Sequence, residues 1–145
     1  MSETRWIWHC ERVIPSDTEA GRRLLREVLG QLEDHRWPER DRFSIHLALE
    51  EALVNAIAHG NHYDVEKRVS VVCRLAEDLL HIEIADEGVG FDPGRLPDPT
   101  DPDRVEASGG RGVMLMKTYM TRVEFSGRGN RVVMQKRRSA KGSAA

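Results

Sequence analysis

Apolar residues along this chain follow two periods, one of two residues and one of three to four. Residues 5–14 alternate, with Trp6 and Trp8 on one face and Ile7 and Val13 on the other, which predicts a strand. From about 18 to 34 the period lengthens. Leu24, Leu25, Val28, Leu29 and Leu32 recur at helical spacing, Arg22, Arg23, Arg26 and Glu27 fill the outer side, and Ser16 or Asp17 stands where a cap is needed. Pro38 breaks the chain, and a longer helix is predicted over about 39–59, ending near Gly60 and Asn61. Residues 68–76 and 79–86 alternate again. Val69, Val71, Cys73 and Leu75 share one face, Leu80, Ile82 and Ile84 point inward, and His81 and Glu83 point outward, the pattern of an antiparallel hairpin turned at Glu77 and Asp78.

Residues 87–109 follow neither period. Pro93, Pro97, Pro99 and Pro102 exclude regular structure, and Asp92, Asp98, Asp101, Asp103 and Glu106 keep the stretch wet, so a lid over about 91–109 is expected. A helix restarts near 111 with Val113, Met114, Leu115, Met116, Tyr119 and Met120. Residues 121–126 and 131–137 then form a closing hairpin around Gly127-Arg128-Gly129-Asn130. The order β-α-α-β-β-lid-α-β-β predicts an α/β two-layer sandwich: a mixed, mostly antiparallel sheet with helices on one face.

Composition narrows the class. A chain of 145 residues with 39% hydrophobic and 32% charged residues is expected to fold as one globular domain, over 1–137. The basic cluster of Lys136, Arg137, Arg138 and Lys141 lies at the end, and 138–145 reads as a flexible basic tail. A net charge of -2 points away from direct nucleic-acid binding. Two cysteines, Cys10 and Cys73, are too few for a disulfide framework or a zinc cage, and His59-x-x-His62 has no second ligand pair. Neither a membrane-spanning apolar run nor a secretory signal is recognisable, so a cytoplasmic, soluble domain without membrane attachment is expected.

The helix over 39–59 carries the candidate chemistry. On a helical wheel Phe43, Leu47, Val54 and Ala58 cluster on one side, beside Leu53 and Ile57, while Ile45, Leu49, Ala52 and Ala56 cover most of the other. One arc of roughly 80° stays polar, holding Asp41, Ser44, Glu51, Asn55 and His59, with Glu50 and His46 as exceptions. A helix apolar nearly all round is expected to be buried, so its polar stripe faces something other than bulk water. Glu51, Asn55 and His59 stack one turn apart. An amide oxygen suits magnesium and a carboxylate can take a proton. A satisfied buried hydrogen-bond pair or a solvated groove fits the same stripe. Two glycine turns add to it. Asp86-Glu87-Gly88-Val89-Gly90 ends a strand with an acceptor beside open backbone, which suits either a tight turn or the amine of a base such as adenine. Ser108-Gly109-Gly110-Arg111-Gly112 opens a helix at Val113, where exposed amides attract anions, or it is an ordinary glycine-rich helix entry. There is no P-loop and no Gly-x-Gly-x-x-Gly fingerprint, so a nucleotide site here needs another geometry.

Taken together, Glu51-x-x-x-Asn55-Ala-x-x-His59-Gly60, Asp86-x-Gly88-x-Gly90 and Gly110-x-Gly112, in this order around a long lid, resemble the GHKL ATPase superfamily, the group of gyrase, histidine kinases and mismatch-repair ATPases. Within it the runs Leu47-Ala-Leu-Glu-Glu51-Ala-Leu-Val-Asn55-Ala and Gly109-Gly-Arg-Gly112-Val-Met-Leu-Met116 are similar to the small anti-sigma-factor serine/threonine kinases of the RsbW and SpoIIAB type. The resemblance implies that Glu51 is the general base, that Asn55 coordinates Mg2+, and that Asp86 reads adenine with Gly88 and Gly90. It implies that Gly110 and Gly112 hold the phosphates of ATP, with Gly109, Arg111 and Val113 also binding the nucleotide, and it leaves His59 beside the nucleotide in a less defined role. It also implies a partner switch. Such a kinase binds a sigma factor in one state, and in the other phosphorylates a serine or threonine of a STAS-type anti-sigma-factor antagonist, usually as a homodimer. The alternative is a nucleotide-gated binding module that holds a regulatory partner without phosphoryl transfer.

Overall fold

The structure, a computed structural model, describes residues 4–88, 110–127 and 129–140. The expected lid lies outside the described residues. The elements are β1 (Trp6–Pro15), α1 (Thr18–Asp34), α2 (Glu39–Val54), a π-helical segment (Asn55–Gly60), β2 (Arg68–Ala76), β3 (Leu79–Ala85), α3 (Gly110–Tyr119), β4 (Arg122–Ser126) and β5 (Arg131–Arg137). The strands form one sheet in the order β1-β2-β3-β5-β4, and every neighbouring pair is antiparallel.

The period-two residues make one face of the sheet apolar. Val69, Val71, Cys73 and Leu75 of β2, Leu80, Ile82 and Ile84 of β3, and Val132 and Met134 of β5 are all buried. They join Leu24, Leu25, Val28 and Leu32 of α1, Ile45, Ala48, Leu49, Ala52 and Leu53 of α2, and Val113 and Met116 of α3 in a single core. Helices therefore cover one face, as predicted. The other face carries His81, Glu83, Gln135 and Arg131. The His81 ring donates from Nε2 to the Glu83 carboxylate at 2.9 Å and accepts at Nδ1 from the Gln135 amide at 2.9 Å, while Arg131 pairs with Glu83. Asp17 caps α1, its carboxylate accepting from the Ala20 N–H at 3.2 Å, and Ser16 is buried instead.

Four expectations are corrected. Trp6 and Trp8 do not share a face. The pairing of β1 with β2 shifts between them, from Trp6↔Ala76 to Trp8↔Leu75, and an extra residue on one strand turns its neighbour over. Trp8 packs on the core, whereas Trp6 meets the His81 ring on the open face, centroids 6.2 Å apart. Second, α2 is not buried all round. Phe43 and Val54 are exposed, because α1 and α3 flank the helix and leave its outer side to water. Third, Asp41 does not belong to the same polar site as Glu51. It is buried at the start of α2, where it accepts from the Ser139 N–H at 2.8 Å and from the Ser139 hydroxyl at 2.6 Å. Fourth, Arg138 and Ser139, expected in a loose tail, are fastened. The Arg138 guanidinium donates to the carbonyls of His35 at 3.3 Å, Glu77 at 3.1 Å and Arg36 at 2.6 Å, and lies 5.6 Å from the centre of the Trp37 ring. Charge-assisted bonds to three turn carbonyls outweigh the entropy of a free end. Residues 141–145 lie outside the described residues.

Candidate active site

Helix α2 changes its winding where its chemistry lies. The α-helical pattern runs to Val54, and Asn55–Gly60 continues as a π-helix, the Val54 and Asn55 backbones both remaining helical. Single π turns inside helices are rare and cluster at functional sites. Here the wider turn lets the small residues Ala56, Ala58 and Gly60 continue the helix up to the end of β3. It also changes the rotation per residue, so a regular wheel does not fix the direction of His59 relative to Glu51 and Asn55.

Glu51 and Asn55, both partly buried, meet the first turn of α3. A Cβ added to Gly112 would stand 3.0 Å from Glu51 Oε2, 3.1 Å from Asn55 Nδ2 and 3.4 Å from Asn55 Oδ1. The missing side chain of Gly112 is therefore what lets a carboxylate, an amide and a backbone converge. Gly110 and Gly112 fall inside α3 rather than ahead of it, so the free amides of a helix start are supplied by the first turn itself. Buried Val113 anchors this turn to the core. Arg111 is in the same turn, while Gly109 and Gly90, expected in the site, lie outside the described residues.

The second half of the site sits at the other end of the π segment. The Asp86 carboxylate lies directly over Gly60: a Cβ there would come within 2.6 Å of Asp86 Oδ1, with the rest of the carboxylate group as near. Asp86 Oδ1 also accepts from the Gly88 N–H at 2.8 Å. A Cβ on Gly88 would in turn meet the Gly60 carbonyl carbon at 2.6 Å. Gly60 and Gly88 thus pack backbone against backbone, leaving the carboxylate wedged between them. The Asp86 main chain is held by Asn130, whose carbonyl accepts from the Asp86 N–H at 2.9 Å and whose side-chain amide donates to the Asp86 carbonyl at 2.9 Å. Burial pushes the Asp86 carboxyl above the ordinary aspartate range, opposed by the Gly88 N–H and by the charge of Lys67.

Sequence reasoning put Gly60 and Asn61 at a helix end and Asn130 in a hairpin turn, missing their part in seating Asp86. The signal available was the run His59-Gly60-Asn61, a glycine followed by an amide where a helix must give way to a strand. A separate groove of about 210 Å3 runs between α1 and the far side of α2, lined by Leu25, Leu53, Val54, Ile57 and Tyr63 among others. It opens on the face of Glu50 and Val54, not on that of Glu51 and Asn55. Among the described residues no cluster of three or more His, Cys, Asp or Glu side chains could hold a metal by itself. Magnesium needs no such cluster, since it binds through one or two protein oxygens together with phosphates and water. Asn55 Oδ1 beside the Gly112 gap is an oxygen of that kind.

Residues 14–136 match the model of the histidine kinase-like ATPase domain. The chain belongs to that family, on its anti-sigma-factor kinase branch. The anti-sigma F factor of Clostridium perfringens strain SM101 is 32% identical over 99 residues, covering 64% of this chain and 70% of that protein. The anti-sigma F factor of Oceanobacillus iheyensis is 36% identical over 83 residues, covering 55% and 56%. The serine/threonine-protein kinase BtrW of Bordetella bronchiseptica is 27% identical over 95 residues, covering 64% and 67%. The crystal structure of the RsbU and RsbW domains of Rv1364c from Mycobacterium tuberculosis superposes with a TM-score of 0.61 at 14% identity, over 90% of this chain. This chain spans 32% of that one, and the likeness concerns the fold.

Proposed function

We propose that this chain is a protein serine/threonine kinase of the anti-sigma-factor type. It binds ATP with Mg2+ and phosphorylates a serine or threonine of an anti-sigma-factor antagonist, alternating between that antagonist and a sigma factor. The observation that carries the reading is that one helix presents Glu51 and Asn55 to the backbone of α3 at one point and seats Asp86 on Gly60 at another. The kinship with anti-sigma F factors and a serine/threonine-protein kinase supports the same reading.

The roles are those the family resemblance implies, and the chemistry of the groups suits them. Asp86 accepts a hydrogen bond from the adenine amine, and Gly88 and Gly90 let the base come close. Gly109, Gly110, Gly112, Val113 and Arg111 hold the phosphates through first-turn amides and one cation. Asn55 holds the magnesium ion, which neutralises charge on the phosphates when bound, and His59 stands beside the nucleotide. Glu51 accepts the proton of the attacking hydroxyl. The serine or threonine oxygen bonds to the γ-phosphorus, the bond from that phosphorus to the bridging oxygen breaks, and ADP leaves. Such transfer asks the protein mainly for positioning and charge stabilisation. A homodimeric, cytoplasmic protein folded as a single domain belongs to the same proposal.

The test is transfer of radiolabelled γ-phosphate from ATP to candidate antagonists, with Glu51→Ala and Asn55→Ala beside wild type. Wild type transfers label, Glu51→Ala binds nucleotide without transfer, and Asn55→Ala loses the magnesium dependence of binding. A wild type that binds ATP and labels none of the antagonists it captures is instead a nucleotide-gated binding module. A Glu51→Ala variant that no longer binds ATP removes the base assignment.

A further inference from the structure

Asn61 follows the π segment directly and is fully buried. A buried amide is costly unless its hydrogen bonds are made. Here both donors and the acceptor are used. Nδ2 donates to Ser16 Oγ at 2.9 Å and to the Arg68 carbonyl at 3.0 Å, and Oδ1 accepts from the Glu87 N–H at 2.8 Å. Each partner lies in a different segment: the entry to α1, the start of β2, and the turn after β3. The Ser16 hydroxyl, also buried, donates to the Lys67 carbonyl at 2.7 Å. Two of the three bonds tie scaffold to scaffold. The third reaches the residue between Asp86 and Gly88.

We propose that Asn61 is a positioning residue that sets the preference of the site for adenine by holding the Glu87 peptide, so that the Gly88 N–H stays on Asp86 Oδ1 and the remaining carboxylate oxygen stays aimed at the base. The inference rests on the reading that Asp86 contacts the base. Glu87 lies midway in a three-residue arrangement whose ends are already fixed, by Asn130 on the Asp86 main chain and by the Gly60 backbone under Gly88. Without Asn61 Oδ1, the Glu87 N–H has lost its acceptor in a partly buried turn. The small motion that re-exposes it to water is rotation of the peptides flanking Glu87, and that rotation carries the Gly88 N–H off the carboxylate. The Ser16 bond has no such lever on the turn.

The experiment compares the affinities of ATP and GTP for wild type, Asn61→Ala, Ser16→Ala and Asp86→Ala, with a thermal melt for each. Asn61→Ala loses roughly tenfold in ATP affinity with little change for GTP, so the adenine preference shrinks, consistent with one buried hydrogen bond. Ser16→Ala melts earlier yet keeps the preference. Should Asn61→Ala fail to fold, Asn61→Ser, whose hydroxyl is too short to reach Glu87 but keeps the cavity polar, carries the same expectation. A preference kept in the folded Asn61 variant but lost in Asp86→Ala overturns the positioning role alone. Equal proportional losses of ATP and GTP overturn it too, leaving Asn61 a structural tie. A preference kept in both Asn61→Ala and Asp86→Ala overturns the reading of Asp86 and the inference with it.

Discussion

Gly60→Ala isolates the seat of Asp86. The added Cβ would lie 2.6 Å from Asp86 Oδ1, where ordinary contact needs at least 3.4 Å, so the carboxylate has to retreat by most of an ångström. The backbone has no objection. Gly60 is not among the glycines with positive φ, and alanine favours helix over glycine by about 1 kcal/mol. Overpacking one methyl costs about 1–3 kcal/mol, so the two effects together lower stability by about 0–2 kcal/mol, and the fold survives. Binding suffers more, because a displacement of about 1 Å at a positioning group is worth about a hundredfold, or ~2.7 kcal/mol. Isothermal titration of the nucleotide into folded Gly60→Ala, with a melt to confirm the fold, therefore shows affinity falling about a hundredfold while Tm moves by a few degrees. Folded protein that binds within twofold of wild type refutes the proposed role of Asp86, since the carboxylate cannot stay where it is with that methyl in place. Gly88→Ala is the contrast. Its Cβ meets the Gly60 backbone, which cannot swing aside, so stability and binding fall together.

Asp86 also predicts a pH dependence. Burial raises its folded-state value above the ordinary 3.8, so the native state holds a proton that the unfolded chain releases, and stability falls as pH rises from the ordinary aspartate range. Asp86→Asn, which keeps an oxygen for the Gly88 N–H, melts above wild type at neutral pH, and the two converge below about pH 4, in melts across that range; parallel curves deny the burial cost. Arg138→Ala removes three bonds to turn carbonyls and the contact with Trp37, and costs about 1–3 kcal/mol by urea denaturation with nucleotide affinity unchanged. No loss of stability would mean that Arg138 contributes nothing to holding the chain end.

The strands, both helices of the first half and the antiparallel hairpins were legible in the sequence, because period two and period 3.6 each dictate a face and a sheet flanked by amphipathic helices has few solutions. Predicted and observed limits of α1 coincide at 18 and 34, and those of β2 at 68 and 76. Spacing alone left the stripe of Glu51 and Asn55 and the two glycine turns open to plainer readings, and only their order along the chain carried the resemblance that singles them out as a candidate site. What spacing cannot carry is the relation between segments distant in sequence. Only the tertiary structure decided that the polar stripe of α2 divides, Asp41 going to the chain end at Ser139 and Glu51 and Asn55 to Gly112. The π turn, the bulge that separates Trp6 from Trp8, and the burial of Asn61 between three segments are likewise settled by packing. Each depends on which surfaces meet across the sheet and between the helices, and no local preference of the residues concerned selects that meeting.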